Sequence, residues 1–128
     1  SNIDSYKPVE SSNVNFDSNA SKLTDDGKAT LDQIAAKLKG TKGYVLEIQG
    51  FTDDRGNKSY NLALSQKRSE NVVRYLAEQH QIPLYRMFIL GLGDAKEVES
   101  NKTKEGRAAN RRVEITLMRS DVESGTAK

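Results

Sequence analysis

The chain has 128 residues, 35% of them hydrophobic and 30% charged. That is enough for one domain with a single core, and no apolar run approaches the roughly 20 residues of a membrane-spanning helix. A net charge of +2 is too small to argue for nucleic acid through electrostatics alone. The lack of cysteine removes disulfides, thiolate metal sites and cysteine nucleophiles, and a single histidine, His80, argues against a transition-metal site.

Residues 1–12 are polar, carry Pro8 and two serines in a row, and show no period, so they are expected to be a tail or linker. The chain opens at Ser1-Asn2, with no initiator Met and no leader of basic start and apolar centre. It is therefore expected to be a piece of a longer protein, with any membrane anchor outside it. Val14–Phe16 is a short first strand, ended by the turn-prone run Asp17-Ser18-Asn19. Thr24 is an N-cap, Asp25 and Asp26 suit the first turn of a helix, and Gly40 stops it. Leu31, Ile34, Ala35 and Leu38 recur at helical spacing and mark its buried stripe.

Tyr44–Gln49 is a second strand with Leu46 and Ile48 on one face and Glu47 and Gln49 on the other. A second helix spans about 58–79, its inner stripe made of Leu62, Ser69, Val72, Val73 and Leu76, and Pro83 closes that segment. Met87–Leu90 is a third, mostly buried strand before Gly91 and Gly93, and residues 94–102 form a polar loop. A helical turn over 104–109, capped by Thr103, leads into a last strand, Arg112–Met118. There Val113, Ile115 and Leu117 alternate with polar or exposed positions. The expected boundaries are a tail over 1–12, a domain over 13–119 and a polar tail over 120–128. The alternation predicts an α/β (α+β) sandwich in βαβαβ(α)β order: a small mixed four-stranded sheet with two main helices on one face. The strands flanking the second helix are expected to be parallel.

The most informative stretch is Gly50-Phe51-Thr52-Asp53-Asp54-Arg55-Gly56, followed by Asn61, Leu64-Ser65 and Arg68. It reads as strand, polar turn and helix. Asn61, Ser65 and Arg68 stand at i, i+4, i+7 and share a helix face, with Asp53 on the loop that feeds the helix. A carboxylate and a guanidinium converging on one small space suit a zwitterionic ligand. The plainer readings are that Asp53 is a turn or cap aspartate and Arg68 a solvated helix charge.

Thr52-Asp53-x-x-Gly56, Asn61, Leu64-Ser65-x-x-Arg68 and Glu105-Gly106-Arg107-x-x-Asn110-Arg111-Arg112-Val113-Glu114 together resemble the OmpA-like C-terminal domain, from about Val14 to Met118. That family is the peptidoglycan-binding module of outer-membrane proteins, peptidoglycan-associated lipoproteins and flagellar stator proteins. The resemblance implies that the acid of the turn and the arginine after Leu-Ser, here Asp53 and Arg68, grip the meso-diaminopimelate of the stem peptide. Thr52 precedes the acid in the same motif. Arg68 would fork onto the ligand carboxylate, Asp53 accept from its ammonium, and Asn61 fix orientation. The loop of Asp17, Ser18 and Asn19 would help line the pocket. Phe51 departs from the pattern, because many members have histidine there.

Arg111 shares the parity of the apolar strand positions and is expected to point inward, where it needs an anion. An internal partner, Asp53 included, and a ligand are both open. Arg112 points the other way and is expected to be a surface charge.

The function that follows is non-catalytic peptidoglycan binding, tethering an envelope protein to the wall from the periplasm, with no cofactor, no metal and no nucleic acid. The alternative is a module of the same fold whose partner is another envelope protein. A hydrolase using Asp53 with Glu47 or Asp54 lacks an accompanying nucleophile or metal set. Nucleic-acid binding through Arg107, Arg111 and Arg112 lacks interleaved aromatics.

Overall fold

The computed structural model describes residues 6–93 and 97–120. In chain order they form strand β1 (Tyr6–Asn15), helix α1 (Asp25–Leu38), strand β2 (Tyr44–Phe51), helix α2 (Lys58–His80), a 3₁₀ turn at Leu84–Arg86, strand β3 (Met87–Gly93), helix α3 (Lys104–Asn110) and strand β4 (Arg112–Ser120). The four-stranded sheet runs β1-β4-β2-β3. β2 and β3 are parallel, as a strand-helix-strand crossover requires, and the other two pairings are antiparallel.

Each main helix starts where its cap residue satisfies an otherwise unpaired N–H. Thr24 Oγ1 accepts from the Gly27 N–H at 3.0 Å, and Asn57 Oδ1 accepts from the Tyr60 N–H at 2.8 Å. Leu31, Ala35 and Leu38 of α1 and Val72 and Leu76 of α2 pack into one buried cluster with Leu46, Ile48, Val113 and Ile115 of the sheet. The register fixes this face, since Ile48 lies opposite Ile115 and Gly50 opposite Val113. Asp32 accepts from the Tyr75 hydroxyl and pairs with His80, both at 2.7 Å, and so clasps α1 to α2. His80, then Tyr75, hold its carboxyl below the ordinary range.

Four sequence expectations change. β3, expected to be mostly buried, ends the sheet and leaves Phe88 and Leu90 about half exposed. β1 begins at Tyr6, not Val14, so residues 6–12 are an edge strand along β4, and residues 1–5 of the expected tail lie outside the described residues. Its signal is weak because an edge strand is held by its backbone ladder and by polar pairs rather than by a buried stripe. Ser11 Oγ meets Thr116 Oγ1 at 2.9 Å and Glu10 meets Lys37 at 2.6 Å, while Pro8 sits at a register shift, where its missing N–H does least harm.

At the other end Ser120, expected in the tail, closes β4: it is buried and donates its N–H to Gly43 O. Residues 121–128 and 94–96 lie outside the described residues. Leu62, expected inside, is half exposed, and Asn61, Leu64, Ser65 and Arg68 are buried in its place. The first half of α2 thus turns a largely polar stripe inward.

That polar stripe can lie against the sheet because Gly50 has no side chain. A Cβ at Gly50 would stand 2.2 Å from Ser65 O and 2.6 Å from Ser69 Oγ. Close seating also lets Ser65 Oγ accept from the Gly93 N–H at 3.1 Å, tying α2 to β3. Gly50→Ala is expected to lower stability by about 2 kcal/mol or more, in the range of core overpacking. Urea denaturation measures it, and an unchanged midpoint would show that α2 has room to shift.

Candidate functional site

At the carboxyl end of β2 the chain leaves the sheet through Thr52 and Asp53 and turns into α2 at its cap, Asn57. The turn is closed locally by Asp53, whose Oδ1 accepts from the Arg55 N–H at 3.0 Å. Gly56 supplies the left-handed residue (φ +90°) that the turn needs. Between this turn, the start of α2 and the loop after β1 lies a cavity of about 340 Å³. Its lining includes Asn19, Thr52, Asp53, Asn61, Arg68 and Arg111.

Arg68 forms the floor and is fully buried. Its Nε donates to Ala20 O at 2.8 Å, Nη1 to Phe51 O at 3.1 Å and Nη2 to Asp17 O at 3.0 Å, and the guanidinium lies 5.2 Å from the centre of the Phe16 ring. Among the described residues no carboxylate stands within ion-pair distance of it. Burial first, and Arg111 second, pull its pKa down to about 10, against the partial compensation of Asp53 and Tyr60. Of its five N–H groups three are engaged and two remain.

Asp53 is the acid of the cavity, with its side chain only 7% exposed. Its Oδ2 lies 3.3 Å from Arg111 Nη1 and 3.6 Å from Arg55 Nη2. Arg111 caps α3 and donates its Nε to Phe16 O at 2.9 Å, so the inward guanidinium expected from parity has an internal partner and also faces the cavity. Among the described residues, two buried lining atoms have no hydrogen-bond partner: Thr52 Oγ1 and Asn61 Nδ2. Buried polar atoms are rarely left so without a reason.

Of the sequence candidates, Asp53, Arg68, Asn61, Arg111, Thr52 and Asn19 come together around the cavity. Asp17 does not line it; it contributes its backbone carbonyl to Arg68 instead. Ser18, in the loop expected to help line the pocket, stands at the rim, and Arg55, which the sequence did not single out, joins it there through an Arg55 Nη2–Ser18 Oγ bond of 3.0 Å. The second residue after a turn aspartate was the available signal for Arg55. Tyr60 makes a parallel stitch, its hydroxyl donating to Asn19 Oδ1 at 3.2 Å.

Arg112 is not a surface charge. It is fully buried, stacks 4.0 Å over the Phe51 ring that lies opposite it in the β2–β4 register, and pairs with Glu114 at 2.8 Å. Alternation gave its face correctly, but an aromatic neighbour and a carboxylate two residues on make that face a place where a guanidinium can be desolvated. Glu47 shares the face of Glu114 and Thr116, the side away from the helices, and bonds Gln49 at 3.3 Å. It does not pair with Asp53.

The fold is that of a small α/β domain with a cationic pocket at the carboxyl end of its strand β2. The chain belongs to the OmpA family, whose model matches residues 15–111. It is similar to the probable lipoprotein YiaD of Escherichia coli, 41% identical over 82% of this chain and 48% of that one. It is also similar to the outer-membrane lipoprotein YfiB of Pseudomonas aeruginosa, 38% identical over 84% of this chain and 63% of that one. It therefore spans about half to two thirds of the length of these relatives. Among solved structures it is similar to the peptidoglycan-associated lipoprotein of Burkholderia pseudomallei, with a TM-score of 0.74 and 36% identity over 82% of this chain and 88% of that one. The cell wall anchor of the T6SS of Pseudomonas aeruginosa gives 0.73 and 27% over 92% and 90%.

Arg68→Lys is expected to destabilise the domain by about 2 kcal/mol or more. One ammonium cannot reach three carbonyls on separate segments, and each buried acceptor left unmet costs about 1–3 kcal/mol. Chemical denaturation checks this, and a silent substitution would mean that the three bonds do not hold the loop.

Proposed function

We propose that this domain binds peptidoglycan without catalysis, through the diaminopimelate of the stem peptide, and so tethers an envelope protein to the cell wall. The observation that carries this reading is the cavity itself: among the described residues one buried carboxylate, Asp53, stands beside three guanidiniums, with polar atoms of Thr52 and Asn61 that have no partner there. The free end of diaminopimelate presents an ammonium and a carboxylate on one carbon. Asp53 retains lone pairs for the ammonium, and the spare N–H groups of Arg68 with Asn61 Nδ2 suit the carboxylate. The wall-associated names of the B. pseudomallei lipoprotein and the P. aeruginosa anchor support the same assignment. The names of the Bordetella avium outer membrane protein A and the P. aeruginosa outer-membrane lipoprotein support a periplasmic position, attached to the outer membrane.

Single-site affinity for so small a group is modest, because desolvation and ordering offset part of the roughly 1.5–3 kcal/mol of each charge-assisted bond. Firm attachment then comes from many copies meeting one polymeric network.

A second reading, contact with another envelope protein, is favoured by the β3 edge. β3 ends the sheet, carries no charged residue, and leaves Phe88 and Leu90 about half exposed.

Co-sedimentation with purified sacculi separates the two. The domain is expected to pellet with diaminopimelate-type walls and at least tenfold less with lysine-type walls, which lack the carboxylate. Equal retention would remove the diaminopimelate assignment, and a domain left in the supernatant with both would leave the protein-partner reading.

A further inference from the structure

Both ends of the sheet's outer pairing, Tyr6 and Ser120, stand at one pole of the domain, and the cavity stands at the other. Tyr6 of β1 lies opposite Ser120 of β4; at the far end Asn15 lies opposite Arg112, which in turn lies opposite Phe51. The cavity residues Thr52 and Asp53 follow Phe51 directly, and Arg111 precedes Arg112. A strand of ten residues, rising about 3.4 Å per residue, puts roughly 30 Å between the two poles. β1 is also longer than the core needs. Of its ten residues only Val14 is buried, yet nine positions from Tyr6 to Asn15 pair with β4. Its polar first half contributes a hydrogen-bonded ladder and almost no apolar burial.

Resting on the tether reading, we propose that the sheet is a tension-carrying link, strong along the line from Tyr6 and Ser120 to the cavity, with β1 and β4 as a shear clamp. A ligand held in the cavity pulls on Asp53 and Arg68, and an anchor joined through either terminus pulls on Tyr6 or Ser120. The two pulls oppose each other along the strands. With the load at Tyr6, β1 has to slide along β4. Antiparallel hydrogen bonds lie across the strands, so sliding strains the whole ladder at once and its pairs give way together. With the load at Ser120, β4 has to slide between β1 and β2, against nine register pairs on one side and eight on the other. The cavity end of β1 is fastened by residues of the site itself. The Phe16 N–H donates to Arg111 O at 3.0 Å, Arg111 Nε donates to Phe16 O at 2.9 Å, and Arg68 Nη2 donates to Asp17 O at 3.0 Å. The same ladder is weak in another direction. Because Tyr6 and Ser120 are neighbours, pulling them apart opens the pairs one after another from that end. Adhesion alone needs only the cavity, whereas a link under tension needs this alignment and the long polar strand that extends it.

The chain has no cysteine, so introduced cysteines give unique handles for single-molecule force spectroscopy on all 128 residues. Two geometries are compared at one loading rate, without ligand. Handles at Ser1→Cys and Asp54→Cys, the latter an exposed turn position outside the cavity lining, load the sheet along its strands. Handles at Ser1→Cys and Lys128→Cys load the β1–β4 pair from one end. Forced unfolding is governed by the unfolding rate, and hence by the barrier met along the direction of pull; the first geometry is expected to need about twofold the force of the second, or more. Equal forces, or a greater force between the termini, would overturn the proposal and leave wall binding in place. Co-sedimentation of the same chain with sacculi tests the source of the load. A domain that resists unequally but stays in the supernatant would overturn the wall-bound load, and the proposal with it, while one that resists unequally and pellets bears it out.

Discussion

A buried guanidinium without a carboxylate partner holds this domain's site together. Arg68 reaches from α2 to three backbone carbonyls, Ala20 and Asp17 in the loop after β1 and Phe51 at the end of β2. Those segments are far apart in sequence and have few apolar side chains with which to find one another. An arginine suits the task because its donors are fixed in a plane and point in several directions at once. The cost is a desolvated positive charge, met by carbonyl dipoles, the Phe16 ring and the nearby field of Asp53 rather than by an ion pair. The arrangement leaves the floor of the cavity positive. On the proposed reading, structure and recognition share one side chain: the cation that gathers the loops is also the one that receives an anion.

The close seating of α2 follows from the same requirement. Arg68 reaches Phe51 O because the helix lies against the sheet backbone, with Gly50 beneath Ser65 and Ser69, and Ser65 hydroxyl on the Gly93 N–H. Larger residues at these points would lift the helix and move the guanidinium away from its carbonyls. The stretch from Asn61 to Ser69 therefore buries small polar side chains where an ordinary amphipathic helix would bury leucines, and Leu62 is turned out. α3 reaches the site through Arg111 at its C-terminal cap, and Asn110 beside it accepts from the N–H groups of Val98 and Glu99, fixing the loop before the helix.

The architecture was legible where the sequence has a period. The apolar stripes of α1 and β4, and the caps Thr24 and Thr103, led to the right elements in the right order, and the parallel pairing of β2 and β3 followed from the crossover rule. It was less legible where structure rests on groups that leave no hydrophobic trace. Residues 6–12 are held by backbone pairing at a sheet edge, and the inner face of α2 is polar in its first half. At the site, the motif pointed to Asp53, Asn61, Arg68, Arg111 and Thr52 and the family resemblance to Asn19, and all six line one cavity. Neither could show that Asp17 contributes a carbonyl, that Arg55 leans on Asp53, or that Arg112 is sheltered by Phe51. Those depend on which face a neighbouring strand presents, and a single strand's alternation does not contain that information.

The wall-binding reading seats the ligand in the cavity at the end of β2. Its most direct test is an NMR titration of the ¹⁵N-labelled domain with meso-diaminopimelate, following the Asn61 side-chain amide and the Arg68 Nε–H. Both groups belong to the cavity wall, and one of them has no partner in the unliganded domain. Saturable shifts of these two signals are expected together with those of the backbone amides of Thr52, Asp53 and Arg55, while Phe88 on β3 stays still. Unmoved signals at Asn61 and Arg68, in a domain that still sediments with sacculi, would contradict that seating and place wall binding elsewhere on the molecule.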